Sequence, residues 1–284
     1  MGLETSILVT GSHRSGTTWV GNILALANGT RYVQEPFNRE TNPTLEGYRL
    51  ANMYAYALDE DKENLKERYR AYLARRPHER LIIKDPIALF SAPWIQEEFG
   101  VKVLCIVRHP AGFVSSLIKW QWEFFFGYFT AQPKLMDTFP ASIRTEIEHY
   151  AKERQEPLMQ ACLLWKVLYG WVIDQCPKKR RWQVLRYEEI AGNPRKHFRK
   201  LYRKLELRWS AGIEEEISRL SGRGNPGESD DPGFKARNSL RMREVWMDRL
   251  TSEQIQIVQE QTAPVWQHFY SDKDWKLRYD LREQ

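Results

Sequence analysis

Short apolar runs alternate with longer amphipathic stretches along this 284-residue chain. The short runs have the length and apolar character of strands that are buried on both faces of a parallel sheet. They occupy residues 6–10, 81–84, 101–107 and 182–186. The longer stretches repeat apolar residues at the spacing of an amphipathic helix. They occupy residues 17–27, 45–74, 111–122 and 146–175, with breaks expected near Asp59 and Pro157.

This order of elements predicts an α/β fold. Strands that alternate with helices favour a three-layer sandwich, in which helices cover both faces of a central parallel sheet of about four to five strands. The same arrangement is typical of P-loop NTPase-like proteins. Because no internal repeat or low-complexity linker divides the chain, we expect one domain over residues 1–284. Residues 221–238, rich in Gly, Pro and charge, predict an open loop, either a mobile lid or a plain surface loop.

Composition and charge narrow the function classes only a little. The chain carries 43 basic and 37 acidic residues, a net charge of +6, which fits an anionic ligand or simple solubility. A nucleic-acid-binding protein more often concentrates its charge in one stripe. The basic stretches at residues 178–181 and 195–204 are therefore interpreted as solvated surface, and no nucleic-acid partner is expected.

Cysteine usage and hydropathy predict a soluble, cytoplasmic protein. Three cysteines, Cys105, Cys162 and Cys176, are an odd number and lie far apart, which fits neither a disulfide framework nor a zinc site. No apolar stretch approaches the roughly 20 residues that a membrane-spanning helix needs. The N-terminal residues lack the basic region of a signal peptide. We therefore expect a reducing compartment and no membrane span.

The strongest chemical signal is a glycine-bounded loop between the first predicted strand and the first predicted helix. Residues 11–19 read Gly-Ser-His-Arg-Ser-Gly-Thr-Thr-Trp. In that context backbone N–H groups and the positive end of the helix dipole converge on an anion. The spacing of Gly11 and Gly16 matches a Walker A loop, but Thr17 replaces its lysine, which disfavours hydrolysis of a nucleoside triphosphate. The predicted anion-binding residues are Ser12, His13, Arg14, Ser15, Gly16, Thr17 and Thr18.

The segment Arg-Ser-Gly-Thr-Thr-Trp resembles the 5′-phosphosulfate loop of sulfotransferases that use 3′-phosphoadenosine 5′-phosphosulfate (PAPS). A second motif of that family also has a counterpart, Arg108-His109-Pro110 at the end of a strand, with Ser116 eight residues after the arginine. In the family this arginine and serine hold the 3′-phosphate of the nucleotide. The planar guanidinium of an arginine suits phosphate, which agrees with that role for Arg108.

Three further segments extend the resemblance over most of the chain, at residues 81–86, 186–194 and 246–250. The resemblance implies that Trp19 stacks on the adenine and that Tyr187 belongs to the nucleotide site. Two family features are missing. The cytosolic branch carries Lys-x-His after its third strand, whereas this chain has Lys84-Asp85-Pro86. Its late Arg-Lys-Gly loop is also absent, and the candidates to replace it are Lys235, Arg237 and Arg241.

Glu35 is the candidate general base. Gln34-Glu35-Pro36 resembles the Glu-Pro element of carbohydrate sulfotransferases, in which the glutamate deprotonates the acceptor. A surface carboxylate at the end of a strand is the alternative interpretation. The competing bases are Asp85 and His109.

The resemblance implies transfer of a sulfuryl group from PAPS to a hydroxyl, or less readily an amine, with adenosine 3′,5′-bisphosphate (PAP) as product. Arg14 and Lys84 would stabilise the charge that develops in the transition state. No metal is expected. A saccharide or a glycolipid leads the acceptor classes, and the aromatic run at residues 120–129 either lines the acceptor cleft or packs in the core.

Two other functions remain open at this point. A nucleotide kinase with an altered P-loop belongs to the same structural class, but it would need the lysine that is absent after Gly16. A noncatalytic protein that binds 3′-phosphorylated nucleotides would keep the same loop and lack only the turnover.

Overall fold

Five parallel strands form the centre of the part of the chain that the structure describes. The computed structural model of the chain describes residues 5–49, 53–74, 79–175, 182–228 and 235–276. The strands are β1 (Ile7–Gly11), β2 (Thr30–Gln34), β3 (Arg80–Lys84), β4 (Lys102–Val107) and β5 (Trp182–Arg186). They lie in the order β2-β3-β1-β4-β5, and each neighbouring pair is parallel.

The register of the strands brings their carboxyl ends to one edge of the sheet. Gln34 of β2 lies opposite Lys84 of β3, and Gly11 of β1 lies opposite Ile106 of β4. The segments that follow the five strands therefore open at the same edge, where ligands bind in open α/β sheets. The glycine-rich loop follows the central strand β1 and lies in the middle of this edge.

Fourteen α-helices are described in these residues, and together with the sheet they form three layers. They are α1 (Thr17–Leu24), α2 (Lys62–Ala74), α3 (Ala92–Phe99), α4 (Pro110–Lys119), α5 (Gly127–Thr130), α6 (Pro133–Met136), α7 (Ala141–Lys152), α8 (Pro157–Gln175), α9 (Tyr187–Gly192), α10 (Pro194–Lys204), α11 (Ala211–Ser221), α12 (Ser239–Glu244), α13 (Trp246–Arg249) and α14 (Ser252–Thr262). Helix α8 packs with α4 and α14, whereas α1 packs with α10 and α11.

The alternation of side chains along the strands divides the core into two parts. Val103 and Cys105 of β4 belong to one apolar cluster, and Leu104 and Ile106 belong to the other. Successive strand residues point to opposite faces, so a strand with helices on both sides is apolar throughout. The predicted α/β sandwich with four to five parallel strands is confirmed.

The prediction of a helix over residues 45–74 with a break near Asp59 is confirmed for the break and for the helix after it, and is wrong for the described residues before it, 45–49 and 53–56. A short 3₁₀ turn at Ala57–Asp59 precedes α2, which begins at Lys62. Gly47 and Tyr54 both have positive φ, 90° and 64°, a conformation that an α-helix cannot contain. The aromatic residues in this segment pack on the core from a loop. Their spacing in the sequence therefore resembled the apolar face of a helix although the backbone is not helical.

The other helix predictions need smaller corrections. The break expected at Pro157 is confirmed, since α7 ends at Lys152 and α8 begins at that proline. The first helix ends at Leu24, three residues before the predicted end. Cys176 and residues 178–181 lie outside the described residues, as does part of the predicted loop at 221–238. Within the described chain, no helix is both long and apolar enough to span a membrane.

Candidate active site

The loop between β1 and α1 has the backbone of an anion-binding turn. Gly16 caps α1 in the left-handed conformation with φ 94°, and a Cβ there would lie 2.6 Å from the Tyr187 ring. Gly11 has φ 142°, and its Cβ would collide with the Ile106 carbonyl oxygen. Only glycine fits either position. Both glycines therefore fix the path of the loop around the N-terminus of α1.

Hydrogen bonds hold the loop in place from below. The Ser12 backbone N–H donates to the Tyr169 hydroxyl over 3.2 Å, and that hydroxyl donates to the Ile106 carbonyl over 2.9 Å. The Ser15 hydroxyl donates to the Ser12 carbonyl over 2.6 Å. Ser12 and Ser15 are fully buried and support the loop, whereas the other residues predicted for the anion site line a cavity.

This cavity of about 520 Å³ opens at the carboxyl edge of the sheet. Most of the residues that the sequence predicted for the site line it. They are His13, Arg14, Gly16, Thr17, Thr18, Trp19, Glu35, Lys84, Arg108, Ser116 and Tyr187.

Guanidinium groups gather at one part of the cavity wall. Arg14 Nε donates to the Ser116 hydroxyl over 3.1 Å, and Arg108 Nη1 donates to the Arg14 carbonyl over 2.7 Å. The Arg108 guanidinium lies 5.1 Å from the centre of the Tyr187 ring. Burial, and then the charges of Arg108 and other arginines, lower the pKa of Arg14 to about 10. Like charges brought this close favour an anionic ligand between them.

Two arginines far along the chain complete this cluster. Arg237 and Arg249 line the cavity, and both charges contribute to the lowered pKa of Arg14. Of the three candidates for the missing Arg-Lys-Gly loop, Lys235 and Arg237 reach the cavity and Arg241 does not. Arg249 was not among the residues predicted for the site. No fixed spacing relates Arg249 to the glycine-rich loop, so only the folded chain brings the two together.

Glu35 and Lys84 meet at another part of the cavity wall. Glu35 follows β2 with φ 46°, and its backbone N–H donates to the Lys84 carbonyl over 2.7 Å. Lys84 Nζ donates to Glu35 Oε1, and Asn38 Nδ2 donates to Oε2 over 3.1 Å. The side chains of Lys84 and Glu35 are 7% and 18% exposed. A carboxylate and an ammonium group are thus held together at the cavity wall.

The two competing bases do not line the cavity. Asp85 is fully buried and accepts hydrogen bonds from the backbone N–H groups of Phe37, over 2.7 Å, and Ala88, over 3.2 Å. Burial raises the pKa of Asp85 to about 7. His109 is also buried, and its ring stacks on Trp246 at 5.1 Å between centroids. Both side chains are therefore held by contacts in the protein interior and do not face the cavity.

Comparison with known proteins identifies the family. A model described as the sulfotransferase family matches residues 6–211. The chain belongs to the sulfotransferase family. None of the curated proteins compared with the chain matches its sequence.

Solved sulfotransferase structures have a similar fold. The sulfotransferase domain of the Synechococcus PCC 7002 olefin synthase has a TM-score of 0.54 and 17% identity, over 90% of this chain and 93% of that one. Sulfotransferase STF9 from Mycobacterium avium has a TM-score of 0.53 and 13% identity, over 95% and 78%. The sulfotransferase domain from the curacin biosynthetic pathway has a TM-score of 0.51 and 15% identity, over 90% and 96%.

The aromatic run of this sulfotransferase divides between cavity and core. Trp122 is 46% exposed and lines the cavity, and Phe125, three residues later, is 61% exposed. Phe124, Phe126 and Phe129 are buried in the core. Part of the run is therefore core, as one interpretation predicted, whereas a contact of Trp122 with an acceptor stays a prediction.

Trp19 lines the cavity from the N-terminal turn of α1. Its ring packs edge-to-face on Tyr187, at 5.9 Å, and on Phe198, at 5.3 Å. The residue is 8% exposed. Stacking of Trp19 on an adenine stays a prediction.

His109 makes the stability of this sulfotransferase sensitive to acid. Burial lowers the pKa of His109 from 6.5 to about 3. Between these values the unfolded chain binds a proton that the folded chain excludes, so stability falls as the pH falls. We expect His109→Phe to remove about 2 kcal/mol of the stability lost between pH 7 and pH 5.

Urea unfolding at both pH values measures this effect. His268→Phe changes an exposed histidine and is the matched control, which should keep the wild-type pH dependence. An identical loss of stability in His109→Phe and the wild type would contradict the assignment.

Proposed function

We propose that this sulfotransferase moves a sulfuryl group from PAPS to a hydroxyl, or less readily an amine, of a saccharide or glycolipid acceptor. Glu35 acts as general base, PAP is the product, and residues 1–284 form one catalytic domain. The observation that carries the proposal is that one cavity is lined by the glycine-rich loop, the arginine cluster and the Glu35–Lys84 pair. The expected cytoplasmic location stays a prediction.

The two anionic ends of PAPS match two parts of the cavity. The loop before α1 offers backbone N–H groups to the 5′-phosphosulfate. Arg108 and Ser116 both bond Arg14 where the guanidinium groups gather, and would hold the 3′-phosphate. The cavity volume of about 520 Å³ is in the range of small-molecule sites.

The residues at the cavity wall can perform the transfer. PAPS, when bound, supplies the sulfuryl group, whose bond to the 5′-phosphate oxygen breaks as the bond to the acceptor oxygen forms. Glu35 accepts the proton of the acceptor hydroxyl, because a carboxylate has lone pairs beyond those that Lys84 and Asn38 use. Lys84 and Arg14 offset the negative charge that moves onto the leaving oxygen.

The proposed saccharide or glycolipid acceptor is supported by the position of Trp122 at the cavity wall. An exposed indole ring in the same cavity as a carboxylate offers a flat apolar surface and a polar group to a sugar. Incubation of the protein with labelled PAPS and a panel of glycans, glycolipids, phenols and amines tests the class. Transfer to phenols or amines alone would contradict a saccharide acceptor.

Nucleotide binding separates this function from its rivals. Calorimetric titration should show much tighter binding of PAP than of ADP or AMP. Preference for ADP would favour a kinase, and tight PAP binding without transfer to any acceptor would favour a noncatalytic binding protein.

Arg108 and Ser116 give a residue-level test of the nucleotide. A charge-assisted contact is worth roughly 1.5–3 kcal/mol, so Arg108→Ala should raise the Kd of PAP about ten-fold or more. Ser116→Ala should also raise the Kd of PAP while leaving the Kd of AMP nearly unchanged. Ser115→Ala is the matched control, because Ser115 bonds the Gly112 carbonyl and does not line the cavity. Equal losses for AMP and PAP would refute the 3′-phosphate assignment.

A further inference from the structure

His13 occupies a position in the glycine-rich loop where its ring is held from several sides. The ring lies 5.4 Å from Phe113, 4.9 Å from Trp122 and 5.7 Å from Tyr54, between centroids. The residue is 8% exposed and lines the cavity. Its side chain is therefore fixed at the cavity wall, next to Arg14 in the sequence.

The contact with the Tyr54 hydroxyl favours one of the two positions for the proton on the His13 ring. It accepts a hydrogen bond from the His13 backbone N–H over 3.0 Å, and it also contacts His13 Nδ1. Its hydrogen is best used by donating to Nδ1, which must then be the unprotonated nitrogen. With the Tyr54 hydroxyl as donor to Nδ1, the neutral ring carries its hydrogen on Nε2.

Tyr54 is itself firmly held. The residue is fully buried with φ 64°, and its ring packs against Phe90, Phe124 and Phe129. A tyrosine in this position can impose one tautomer on the histidine, as partners of a ring nitrogen generally do.

The surroundings of His13 keep its ring neutral. Burial, followed by the charges of Arg14 and Lys84, lowers its pKa to about 3. Among the described residues, the hydrogen bonds of the ring run through Nδ1 alone, so Nε2 has no protein partner there. A neutral ring with hydrogen on Nε2 can donate from that atom and cannot accept a proton at it.

We propose that His13 is a catalytic hydrogen-bond donor, whose Nε2–H binds an oxygen of the sulfuryl group during transfer. This proposal rests on the proposed function. The sulfuryl group is the part of PAPS that is expected nearest the glycine-rich loop, Arg14 and Lys84. The positive charges of these two residues also contribute to the lowered pKa of the His13 ring, which places His13 in the same part of the cavity. No proton leaves His13, so the role is electrostatic and complements the base Glu35.

Three variants test the role. His13→Phe keeps a ring and removes the donor, His13→Gln keeps a neutral N–H donor, and Tyr54→Phe removes the hydroxyl that fixes the tautomer. Loss of one such donor typically slows turnover about 10²-fold or more. We expect that loss in His13→Phe, a smaller one in His13→Gln, and an intermediate one in Tyr54→Phe.

Nucleotide binding provides a readout that needs no acceptor. His13→Phe should raise the Kd of PAPS while leaving the Kd of PAP nearly unchanged, because PAP lacks the sulfuryl group. Equal weakening of both nucleotides, or no change for either together with wild-type turnover, would overturn the proposal. A wild-type protein that binds neither nucleotide would instead refute the proposed function.

The tautomer is measured separately by nitrogen NMR of protein labelled at histidine. The His13 signals, assigned by their absence in His13→Gln, should report a neutral ring protonated at Nε2 from pH 5 to pH 8. In Tyr54→Phe the Nδ1-protonated form should appear. A charged ring at pH 6, or Nδ1 protonation in the wild type, would overturn the proposal whatever the nucleotide results.

Discussion

Replacement of Glu35 by glutamine is expected to lower kcat about 10²–10⁴-fold, the usual cost of losing a general base. The affinity for PAP should stay nearly unchanged, because the side-chain bonds of Glu35 go to Lys84 and Asn38 and not to the arginine cluster. Glutamine keeps the size of the side chain and can still accept a hydrogen bond from Asn38. Steady-state kinetics with the best acceptor and titration with PAP measure the two quantities.

Controls separate the base from its neighbours. Glu40→Gln changes an exposed carboxylate on the same segment and should leave kcat at the wild-type value. Asp85→Asn should lower stability more than turnover, because Asp85 accepts hydrogen bonds from Phe37 and Ala88. If Glu35→Gln turns over normally while Asp85→Asn is inactive, the base is Asp85 and the analogy with carbohydrate sulfotransferases fails.

The segment after β3 also helps to identify the general base. The cytosolic branch of the family has its catalytic histidine two residues after the lysine, and here that position is Pro86, which lines the cavity. Proline has no titratable group. The proposed function therefore takes its base from another element, and among the described residues Glu35 is the carboxylate that lines the cavity, as the resemblance to carbohydrate sulfotransferases suggested.

The sequence predicted four of the five strands because they are apolar runs. β2 reads Thr-Arg-Tyr-Val-Gln, and only Val33 of it is buried. It lies at one edge of the sheet, as β5 does at the other, but β5 keeps the apolar residues Trp182, Val184 and Leu185, whereas β2 has a shorter apolar pair flanked by polar residues. The helix expected before α2 failed for the opposite reason, since aromatic residues such as Tyr54 are buried there without helical backbone.

The site was predictable where residues follow strands. Parallel strands end at one edge, so the segments after β1, β2, β3, β4 and β5 had to meet. The supports of the loop were not predictable, because Ser12 and Tyr169 are 157 residues apart and share no motif. The same holds for Arg249, which reaches the cavity from a late segment of the chain, whereas Arg237 was already a candidate for the missing Arg-Lys-Gly loop.

We expect Arg14 to stabilise chiefly the transition state of the transfer, and the bound nucleotide to a lesser extent. Arg14→Ala is expected to lower kcat about 10²–10³-fold, as removal of a charge-stabilising donor does. The effect on the Kd of PAP should be smaller, because the charge that Arg14 meets is largest during transfer. Its Nε bonds Ser116, and its guanidinium lies 5.7 Å from the Trp120 ring, so Arg14 links the glycine-rich loop to the predicted 3′-phosphate residues.

Comparison of kcat with nucleotide affinity decides which of these two parts Arg14 serves. Arg14→Lys keeps the charge and loses the bond from Nε to Ser116, so it should recover part of the turnover that Arg14→Ala loses. The exposed Arg203→Ala is the control for loss of positive charge, and it should behave as the wild type. A defect of Arg14→Ala that lies wholly in PAP affinity would make Arg14 a group of the 3′-phosphate site, and Lys84 would then be left to offset the charge on the leaving oxygen.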